Sequence, residues 1–400
     1  MQKVLFVLPS LKTGGMEKLQ ITIANKLAGL GYDVTVMIFG EDRTLEGELD
    51  ENVKFLQKKP IDPFGRKIPF IRYVVYDEGV WELKASPKQF YKHYIGKEKY
   101  DVEIAFFRGI SVKIIAGSTN KDAIHLTWVH SDFRHAKGYD QYFNSMEEVV
   151  EAYKTFDNVI CVSNEVLEGF KEVIGDTGNL TTIYNMIPVE RIRKMALTEV
   201  PDPAPKARLN LVIVARLLDK AKGHLRLITA FSRLRQEEYD ISLTVVGDGP
   251  DRDMIRDYLR VMNEEDHVYL VGDQRNPYPY IKAADVLVCS SYYEGYNLTV
   301  AEALVLGTLV LSVVCSGPCE ILDNGKYGLL VSNSEDGIYR GIKEYYEKPE
   351  LLEYFKKRAV ERQGFFDENK IARQLAELFV RSDDKASEEE PDDLENESEE

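Results

Sequence analysis

Short, almost entirely apolar runs alternate along this chain with longer stretches in which apolar residues recur at helical spacing. The first run covers residues 3–8, and Gly14 and Gly15 separate it from residues 16–30, where apolar residues stand three and four apart. Residues 33–39 form the next apolar run. Strands that are apolar on both faces lie in parallel sheets covered by helices on both sides. This segment therefore predicts a strand–helix–strand unit of a doubly wound α/β fold.

The same alternation resumes in the second half of the chain and predicts a second parallel sheet. Its strands are predicted at residues 209–215, 242–246, 268–271, 286–289, 309–314 and 328–331. Between the two halves, residues 198–207 contain three prolines among polar neighbours, a composition typical of a short, stiff linker. Ligands of such sheets bind at the carboxyl ends of the strands, so we expect the site in a cleft between two domains.

A chain of 400 residues is long enough for two domains of ordinary size. We expect the amino-terminal domain at residues 1–197 and the carboxyl-terminal domain at 208–362, joined by the linker. A helix at 363–380 is expected to pack back on the amino-terminal domain. The last segment, 381–400, has eleven acidic and two basic residues and few apolar ones, so we expect a disordered tail.

Charge and hydropathy exclude several classes of protein. The formal net charge is -16, and the acidic tail carries much of it, which leaves a mildly acidic body that does not suit a general nucleic-acid binder. No stretch approaches the roughly 18 apolar residues that span a bilayer. The first apolar run ends at Pro9, too short for a signal core. We expect a cytoplasmic protein.

The four cysteines do not predict a metal site. Cys161 and Cys289 lie inside apolar runs and are expected in buried strands, whereas Cys315 and Cys319 have no matching His or Cys pair nearby. A zinc site needs four ligands at a recognisable spacing. Reduced thiols are the simpler interpretation.

The strongest chemical signal is the segment EGYNLTVAE, in which seven residues separate Glu294 from Glu302. The apolar run at 286–289 ends before Glu294, which places that glutamate in a loop, and a helix is predicted to begin near Leu298. The first N–H groups of a helix have no partner within it and favour a phosphate. Carboxylates beside them can bind sugar hydroxyls, although two glutamates on a solvated helix would give the same spacing.

A second signal is the segment VARLLDKAKGH. Arg216 stands at the end of a predicted strand, and Lys222 with Gly223 is predicted to open the following helix. Two cations at the carboxyl end of a parallel strand suit a diphosphate. Taken alone, they would equally describe two solvated side chains.

In this order and spacing the two segments resemble the retaining glycosyltransferases of family 4 (glycosyl transferases group 1), which have the GT-B fold. Further segments resemble the same family: VVGDGPDRD at 245–253, AADVLVCSSYYEGYNLTVAEALVLGTLVLS at 283–312 and SGPCEILDNGKYGLLV at 316–331. The resemblance is strong over 209–331 and weak in the amino-terminal half. It implies an α/β architecture of two doubly wound Rossmann-like domains that face a central cleft.

The resemblance implies a role for each matching residue of the carboxyl-terminal domain. Arg216 and Lys222 would bind the donor diphosphate and neutralise charge as it leaves. Glu294 would contact hydroxyls of the donor sugar, and Glu302 would bind the ribose. Other donor-binding residues would supply backbone amides at the helix start or hold the base after a strand: Asn297, Leu298, Thr299, Gly272 and Asp273.

The amino-terminal domain offers fewer matches. Gly14 and Gly15 follow the first strand as the glycine loop of the family does, although an ordinary tight turn would have the same sequence. In TWVHSDF, His130 follows an apolar run, where the histidine of the family reaches the donor sugar; a histidine without a catalytic role is the alternative. Asn185 precedes Met186 where the family commonly has glycine, which leaves the role of Asn185 open. No G-x-S-x-G pattern supports a Ser/His/Asp triad.

The expected reaction transfers a sugar from a nucleotide-sugar donor, with a UDP-sugar favoured, to a saccharide or lipid-linked saccharide of cell-surface polysaccharide. The resemblance implies retention of the anomeric configuration. Protein cations and helix amides can stabilise the leaving diphosphate, and no Asp-x-Asp motif follows a strand, so we expect neither a metal nor a cofactor.

Residues 84–99 mix lysines with Phe90, Tyr91 and Tyr94, a pattern that suggests peripheral contact with an anionic membrane; a solvated helix face is the alternative. Two alternative functions are also compatible with the sequence. One is a nucleotide-sugar epimerase on the same fold, and the other is a non-catalytic binding subunit of a partner transferase.

Overall fold

A computed structural model of the protein describes residues 1–58, 86–200 and 206–381. All of the predicted acidic tail except Arg381 lies outside the described residues. The same is true of residues 201–205 of the predicted linker and of residues 84 and 85 of the lysine-rich segment.

The amino-terminal domain is built on a parallel sheet of seven strands in the order β3-β2-β1-β4-β5-β6-β7. β1 is buried over five of its six residues, as expected of a strand with helices on both faces. The strands are β1 (Lys3–Leu8), β2 (Asp33–Ile38), β3 (Lys54–Gln57), β4 (Val102–Ala105), β5 (Ile124–Val129), β6 (Asn158–Cys161) and β7 (Leu180–Thr182).

The helices of this domain alternate with its strands. α1 begins one residue before the predicted range and ends at Gly29, and the apolar spacing of its sequence places Leu19, Ile23 and Leu27 in the core. The helices are α1 (Gly15–Gly29), α2 (Pro87–Tyr94), α3 (Ile110–Ala116), α4 (Met146–Lys154), α5 (Asn164–Ile174) and α6 (Val189–Met195), with a 3-10 turn at Glu46–Glu48.

The aromatic residues of the lysine-rich segment, Phe90, Tyr91 and Tyr94, do not lie on the surface of the protein. All three side chains are buried, and the hydroxyl of Tyr91 donates a hydrogen bond to Glu103 over 2.7 Å. Residues three and four apart share one helix face, and here that face is turned into the core. Lysines such as Lys88 and Lys92 remain exposed on the opposite face.

The carboxyl-terminal domain has a parallel sheet of six strands in the order β10-β9-β8-β11-β12-β13. Each strand overlaps its predicted range, with ends that differ by one residue at most. Both sheets have the strand order of doubly wound folds, which confirms the predicted fold class. The strands are β8 (Leu209–Val214), β9 (Ile241–Val246), β10 (Val268–Gly272), β11 (Val286–Cys289), β12 (Leu309–Val313) and β13 (Leu329–Val331).

Helices cover both faces of the second sheet. One difference from prediction concerns Lys222, which ends a single helical turn instead of opening the next helix. Gly223 follows with φ 65°, a left-handed conformation that glycine adopts without a Cβ clash, and it caps the longer helix. The helices are α7 (Asp219–Lys222), α8 (His224–Gln236), α9 (Arg252–Met262), α10 (Tyr278–Ala283), α11 (Leu298–Leu306), α12 (Ser316–Ile321), α13 (Glu335–Glu347), α14 (Pro349–Arg362) and α15 (Glu368–Glu377), with a 3-10 turn at Gln363–Phe366.

The end of the chain returns to the amino-terminal domain. The ring of Phe379, just after α15, meets Tyr32 edge-on with centroids 5.4 Å apart. The side-chain amide of Gln2 donates to the backbone carbonyl of Phe379 over 2.8 Å. The two domains are thus tied together by α15 as well as by the linker. Among the described residues, no helix is long and apolar enough to cross a membrane.

Candidate functional site

A cavity of about 730 Å³ lies between the carboxyl edges of the two sheets. The loops after β1, β4 and β5 line it from the amino-terminal domain, and the segments after β8 and β11 line it from the other domain. This is where doubly wound sheets bind ligands. Nine of the twelve predicted site residues line the cavity: Gly14, Gly15, His130, Arg216, Lys222, Glu294, Asn297, Leu298 and Thr299.

An ion pair lies at the centre of the carboxyl-terminal wall. The Nζ of Lys222 lies 2.6 Å from the Oε1 of Glu294, although 72 positions separate the two residues in the chain. The hydroxyl of Ser291 donates to the same oxygen over 2.6 Å, and the amide of Asn297 over 3.1 Å. Burial lowers the pKa of Lys222, but the charge and hydrogen bond of Glu294 outweigh it and raise the pKa overall. Lys222 is therefore a permanent cation.

Helix α11 presents its amino terminus to the cavity. Asn297 caps it from a left-handed conformation, and its side-chain oxygen accepts from the N–H of Val300 over 3.1 Å. The preceding N–H groups, those of Leu298 and Thr299, belong to the first turn, where no carbonyl of the helix can accept from them. The helix dipole and these amides favour an anion at this end.

Arg216 completes the positive side of the wall. It follows β8 directly, lines the cavity and is exposed. No carboxylate of the described residues lies within 4.0 Å of its guanidinium. Arg216, Lys222 and the start of α11 together form a site that suits a diphosphate.

His130 lies across the cavity at the end of β5. Its Nε2 donates to the carbonyl oxygen of Phe106 over 3.0 Å, and its ring packs against the ring of Phe106 at 4.7 Å. Burial lowers the pKa of His130 to about 4, so the ring is neutral near pH 7 and its Nδ1 is an acceptor. Asp132 does not orient His130; it holds Arg134 through two oxygens instead.

The loop that carries Glu294 touches the amino-terminal domain. A Cβ at Gly295 would lie 2.1 Å from the carbonyl oxygen of His130, so only glycine allows this approach. The hydroxyl of Ser163 donates to the carbonyl oxygen of Gly295 over 2.8 Å. Gly295 therefore allows the two sides of the cleft to come together.

The glycine loop after β1 holds a buried carboxylate. Gly14 and Gly15 line the cavity, and a Cβ at Gly14 would lie 2.3 Å from the Oε2 of Glu17. Glu17 is 3% exposed, and burial raises its pKa, with Lys12 and Arg216 acting in the opposite direction. The φ of Gly14 is -175°, an extended backbone that any residue adopts, and the atom nearest to an added Cβ is the end of the flexible Glu17 side chain.

Three predicted donor-binding residues do not line this cavity. Gly272 and Asp273 lie at and after the end of β10. Glu302 lines a second cavity of about 110 Å³, where the hydroxyl of Tyr278 donates to it over 3.3 Å. Leu298 borders both cavities and lies between them. Burial raises the pKa of Glu302 to about 7.

Sequence reasoning missed several residues that line the cleft or hold it together. Arg108 lies three residues after the end of β4 and lines the cavity beside the exposed Lys12 and Lys137. A cation at the carboxyl end of a predicted parallel strand was a signal that could have identified Arg108. Glu320, on α12, accepts hydrogen bonds from the start of α5 in the other domain; no local pattern indicates such a contact. Within the described ranges, no three His, Cys, Asp or Glu side chains form a group that could hold a metal ion.

Two sequence families match the two halves of the chain. The family described as Glycosyltransferase Family 4 matches residues 13–191, and the family described as Glycosyl transferases group 1 matches residues 199–362. The chain is similar to the N-acetylgalactosamine-N,N'-diacetylbacillosaminyl-diphospho-undecaprenol 4-alpha-N-acetylgalactosaminyltransferase of Campylobacter jejuni, with 31% identity over 50% of this chain and 53% of that protein. An uncharacterized glycosyltransferase of Haemophilus influenzae is 21% identical over 88% of this chain and 92% of its own length. The match to the C. jejuni protein thus spans about half of that relative.

Solved structures share the fold over nearly the whole chain. A glycosyltransferase from Rickettsia africae superposes with a TM-score of 0.72 at 19% identity, over 94% of this chain and 97% of that one. An Anabaena protein solved with UDP-glucose superposes with a TM-score of 0.70 at 19% identity, over 94% and 99%. Two doubly wound domains, a cleft lined by the matching motifs and family matches to both halves lead to one conclusion: this chain belongs to the family 4 glycosyltransferases and has the GT-B fold.

Proposed function

We propose that this protein is a retaining, metal-independent glycosyltransferase that moves a hexose or N-acetylhexosamine from a nucleotide-diphosphate sugar to a lipid-linked saccharide. The observation that carries the proposal is the Lys222–Glu294 ion pair beside Arg216 and the start of α11. Lys222 and the free amides of α11 would bind the diphosphate of the donor. Glu294, which is paired with Lys222, would then lie beside the sugar that is attached to that diphosphate.

The leaving group is the part of the reaction that this wall would stabilise. When the bond to the anomeric carbon breaks, negative charge grows on the departing diphosphate. Lys222 and Arg216 supply fixed positive charge, and the amides of Leu298 and Thr299 supply hydrogen-bond donors that need no reorganisation. We therefore expect the reaction to proceed without a divalent ion.

The sugar would lie between Glu294 and His130. Glu294 accepts hydrogen bonds from three neighbours through Oε1, which leaves Oε2 for a sugar hydroxyl. The neutral ring of His130 can accept a hydroxyl hydrogen bond at Nδ1. Glu302 would bind the ribose, and Gly272 and Asp273 the base, on the far side of Leu298.

The linkages named for two relatives agree with retention, because an alpha product retains the configuration of an alpha-linked donor. The name of the C. jejuni relative specifies an alpha linkage, and a poly(glycerol-phosphate) alpha-glucosyltransferase of Bacillus subtilis is 24% identical over 67% of this chain. In the proposed mechanism the acceptor attacks on the face that the diphosphate leaves, and a diphosphate oxygen takes the proton of the acceptor hydroxyl. The new bond to the anomeric carbon then replaces the old one on the same face.

The proposals for the acceptor and for the nucleotide base of the donor rest on the comparisons with known proteins. The C. jejuni relative acts on a diphospho-undecaprenol saccharide, and a lipopolysaccharide core biosynthesis glycosyltransferase of Rhizobium meliloti is 27% identical over 48% of this chain. We infer a lipid-linked acceptor, reached at a membrane surface through the exposed lysines of α2. UDP-glucose is the first donor to test, because the Anabaena protein of the same fold was solved with it.

Two other functions would use the same cleft. A nucleotide-sugar epimerase would release no free nucleotide when acceptor is added. A non-catalytic partner subunit would bind donor without turnover. Arg216, Lys222 and Glu294 all line one cavity, and a subunit that had lost catalysis would have little reason to keep all three.

Donor identity can be tested by thermal shift with a panel of nucleotide sugars. A donor present at 100 times its Kd should stabilise the fold by about 2.7 kcal/mol. The donor that binds is then incubated with lipid-linked acceptors, and the anomeric configuration of the product is read by NMR. Inversion in the product would overturn the retaining mechanism, and no transfer to any acceptor would favour the binding subunit.

Metal independence predicts that transfer survives EDTA. The proposed charge stabilisers are protein side chains and amides, so chelation should change the rate by less than about twofold. The measurement is nucleotide release with EDTA, compared with added Mg²⁺ or Mn²⁺. Complete loss that either ion restores would show that the leaving-group chemistry is wrong.

A further inference from the structure

Three cations line the amino-terminal wall of the main cavity: Lys12, Arg108 and Lys137, here named the N-wall cations. None of them belongs to the diphosphate site described above, which lies on the opposite domain. Lys12 and Lys137 are exposed, whereas Arg108 is half-buried. The N-wall cations follow β1, β4 and β5, so the carboxyl edge of the sheet brings them to one wall.

Arg108 is held in place by neutral groups. Its Nη1 donates to the hydroxyl of Ser131 over 3.1 Å, and its Nη2 donates to the backbone carbonyl of Lys137 over 3.3 Å. Among the described residues, no Asp or Glu forms an ion pair with it, and burial lowers the pKa of its guanidinium. A guanidinium has five N–H donors, so several remain available.

The acidic side chains of the same cavity do not form ion pairs with Arg108 or Lys137. Asp132 is bound by Arg134, and Glu294 is bound by Lys222. Glu17 is buried, and the charge of Lys12 acts on it to lower the pKa that burial raises, so Lys12 has a carboxyl near it. Among the described residues Arg108 and Lys137 form no ion pair, so these two cations face the cavity without a counter-ion, and Lys12 adds charge beside them. Holding a partly desolvated arginine without a counter-ion costs free energy, which an anion in the cavity would offset.

We propose that the N-wall cations bind a phosphate group of the acceptor, with Arg108 as the residue that fixes its position. This inference rests on the proposed function and narrows it, because it assigns the acceptor to the phosphorylated saccharides. The planar guanidinium matches two phosphate oxygens, and the two lysines add charge without fixed geometry. A phosphate with two negative charges uses three cations better than a carboxylate with one.

Binding provides the first test. The protein is titrated with inorganic phosphate, farnesyl diphosphate and glucuronate, with and without saturating UDP. We expect both phosphate probes to bind in the presence of UDP, and Arg108→Gln to weaken them at least tenfold. If farnesyl diphosphate binds more tightly than inorganic phosphate, the phosphate group belongs to a lipid-linked acceptor. If the two probes bind equally, it belongs to a soluble sugar phosphate. Binding of glucuronate as tight as phosphate, or no effect of Arg108→Gln, would overturn the proposal.

Variants of the exposed lysines guard against a folding defect. Lys12→Gln and Lys137→Gln remove exposed side chains, so their folds should survive, and each should weaken phosphate binding about threefold to tenfold. Arg108→Lys keeps the charge and should retain part of the affinity, which a purely structural role of Arg108 would not predict. Lys154→Gln, on an exposed surface pair with Glu151, is the matched control and should bind phosphate as the parent does.

The outcomes separate this inference from the proposed function. If UDP binds but phosphate binding does not depend on Arg108, the result supports the proposed donor site and overturns the proposed acceptor subsite. If UDP does not bind, the proposed donor site is overturned. Phosphate binding that depends on Arg108, measured without UDP, would still support the proposed acceptor subsite. Weakening of phosphate affinity by added salt, with glucose as a neutral probe unaffected, is expected from charge recognition.

Discussion

At the scale of single residues, burial and pairing set the charge of the groups that face the cleft. Lys222 stays protonated because Glu294 lies 2.6 Å away, and His130 stays neutral because burial lowers its pKa to about 4. Near pH 7 the Lys222 cation on one side of the cavity thus faces a neutral hydrogen-bond acceptor, His130, on the other. This division suits a reaction in which charge grows at the diphosphate.

Lys222→Ala tests the charge at the leaving group. We expect kcat to fall 10²-fold or more, as with other removed charge stabilisers, because the stabilising interaction grows as the bond breaks. Lys220→Ala is the matched control, since Lys220 is exposed on the same helical turn and does not line the cavity. Steady-state kinetics of nucleotide release decide it. Normal turnover with weaker donor binding in Lys222→Ala would exclude the leaving-group role.

Glu302→Gln tests a carboxyl whose pKa burial raises from 4.5 to about 7. Between those values the native state binds more protons than the unfolded state, so stability falls as pH rises and the full cost is present above pH 7. The variant should therefore raise the free energy of unfolding at pH 8 by about 1–3 kcal/mol and change nothing near pH 4.5. Urea unfolding at the two pH values measures it. The charged and titratable groups around the carboxyl are Lys18, Glu48, Arg191, Arg275 and Tyr278.

The same variant should weaken donor binding. The ribose contact is expected to be similar in the ground and transition states, so KM should rise while kcat changes little. Glu353→Gln, at an exposed surface pair, is the control for both readouts. Unchanged stability at pH 8 would mean that the carboxyl is solvated, and an unchanged donor KM would remove Glu302 from the donor site.

At the scale of elements, the loop between β11 and α11 makes contacts that shape the site. It carries Glu294, crosses to the other domain at Gly295 and ends in the cap Asn297. The cap sets the direction of α11, and the ion pair with Lys222 ties the loop to α7. A change that displaces this loop should therefore disturb the proposed sugar and diphosphate sites together.

We expect Gly295→Ala to displace the loop between β11 and α11. The added methyl would lie 2.1 Å from the carbonyl oxygen of His130, a backbone atom that cannot turn aside. We expect kcat/KM to fall more than tenfold, which corresponds to about 1.4 kcal/mol of transition-state binding, while each domain keeps its fold. Donor kinetics and circular dichroism measure the two effects.

Gly29→Ala is the matched control for this substitution. A Cβ at Gly29 meets nothing within 4 Å, and alanine favours helix over glycine by up to about 1 kcal/mol. Activity should stay at the parent level, and stability should stay equal or rise. Parent-level activity in Gly295→Ala as well would show that the cleft is wider in solution than the close approach at His130 implies.

At the scale of the whole molecule, Glu320 joins the two domains. Its Oε1 accepts from the N–H of Glu165 over 3.0 Å, and its Oε2 accepts from the N–H of Asn164 over 3.1 Å. The hydroxyl of Tyr184 donates to Oε2 over 2.9 Å. The carboxylate of one domain thus caps α5 of the other, where the helix dipole favours negative charge.

Glu320→Gln should loosen the closed arrangement. The new NH₂ group cannot accept from the backbone amides, so part of the cap is lost at a cost of about 1–3 kcal/mol. We expect a larger radius of gyration by small-angle X-ray scattering and a higher donor KM, since the cleft needs both walls. Glu335→Gln, at a surface pair with Arg233, should leave both unchanged. An unchanged radius of gyration in Glu320→Gln would mean that α15 and the linker alone hold the domains.

The sequence by itself determined the elements and the order in which they occur. Apolar runs fixed β8 to β13 within one residue at each end, because the pattern of buried positions along a strand is local to it. The start of α11 near Leu298 was predictable for the same reason, and so was the position of Glu294 in the loop before it. Lys222 was placed at a helix start instead of a helix end, because the prediction did not include the single helical turn Asp219–Lys222 that ends at the left-handed Gly223.

Only the tertiary structure decided which side chains meet. The pairing of Lys222 with Glu294, the approach of Gly295 to His130 and the separate cavity of Glu302 depend on how two sheets face each other. The burial of Phe90 among core residues was likewise decided by what packs on α2. Distances between residues on different elements follow from packing and domain closure, which no local pattern encodes. The sequence therefore identified the family and placed Arg216, Lys222 and Glu294 in the cleft, and the fold revealed the cations on the opposite wall.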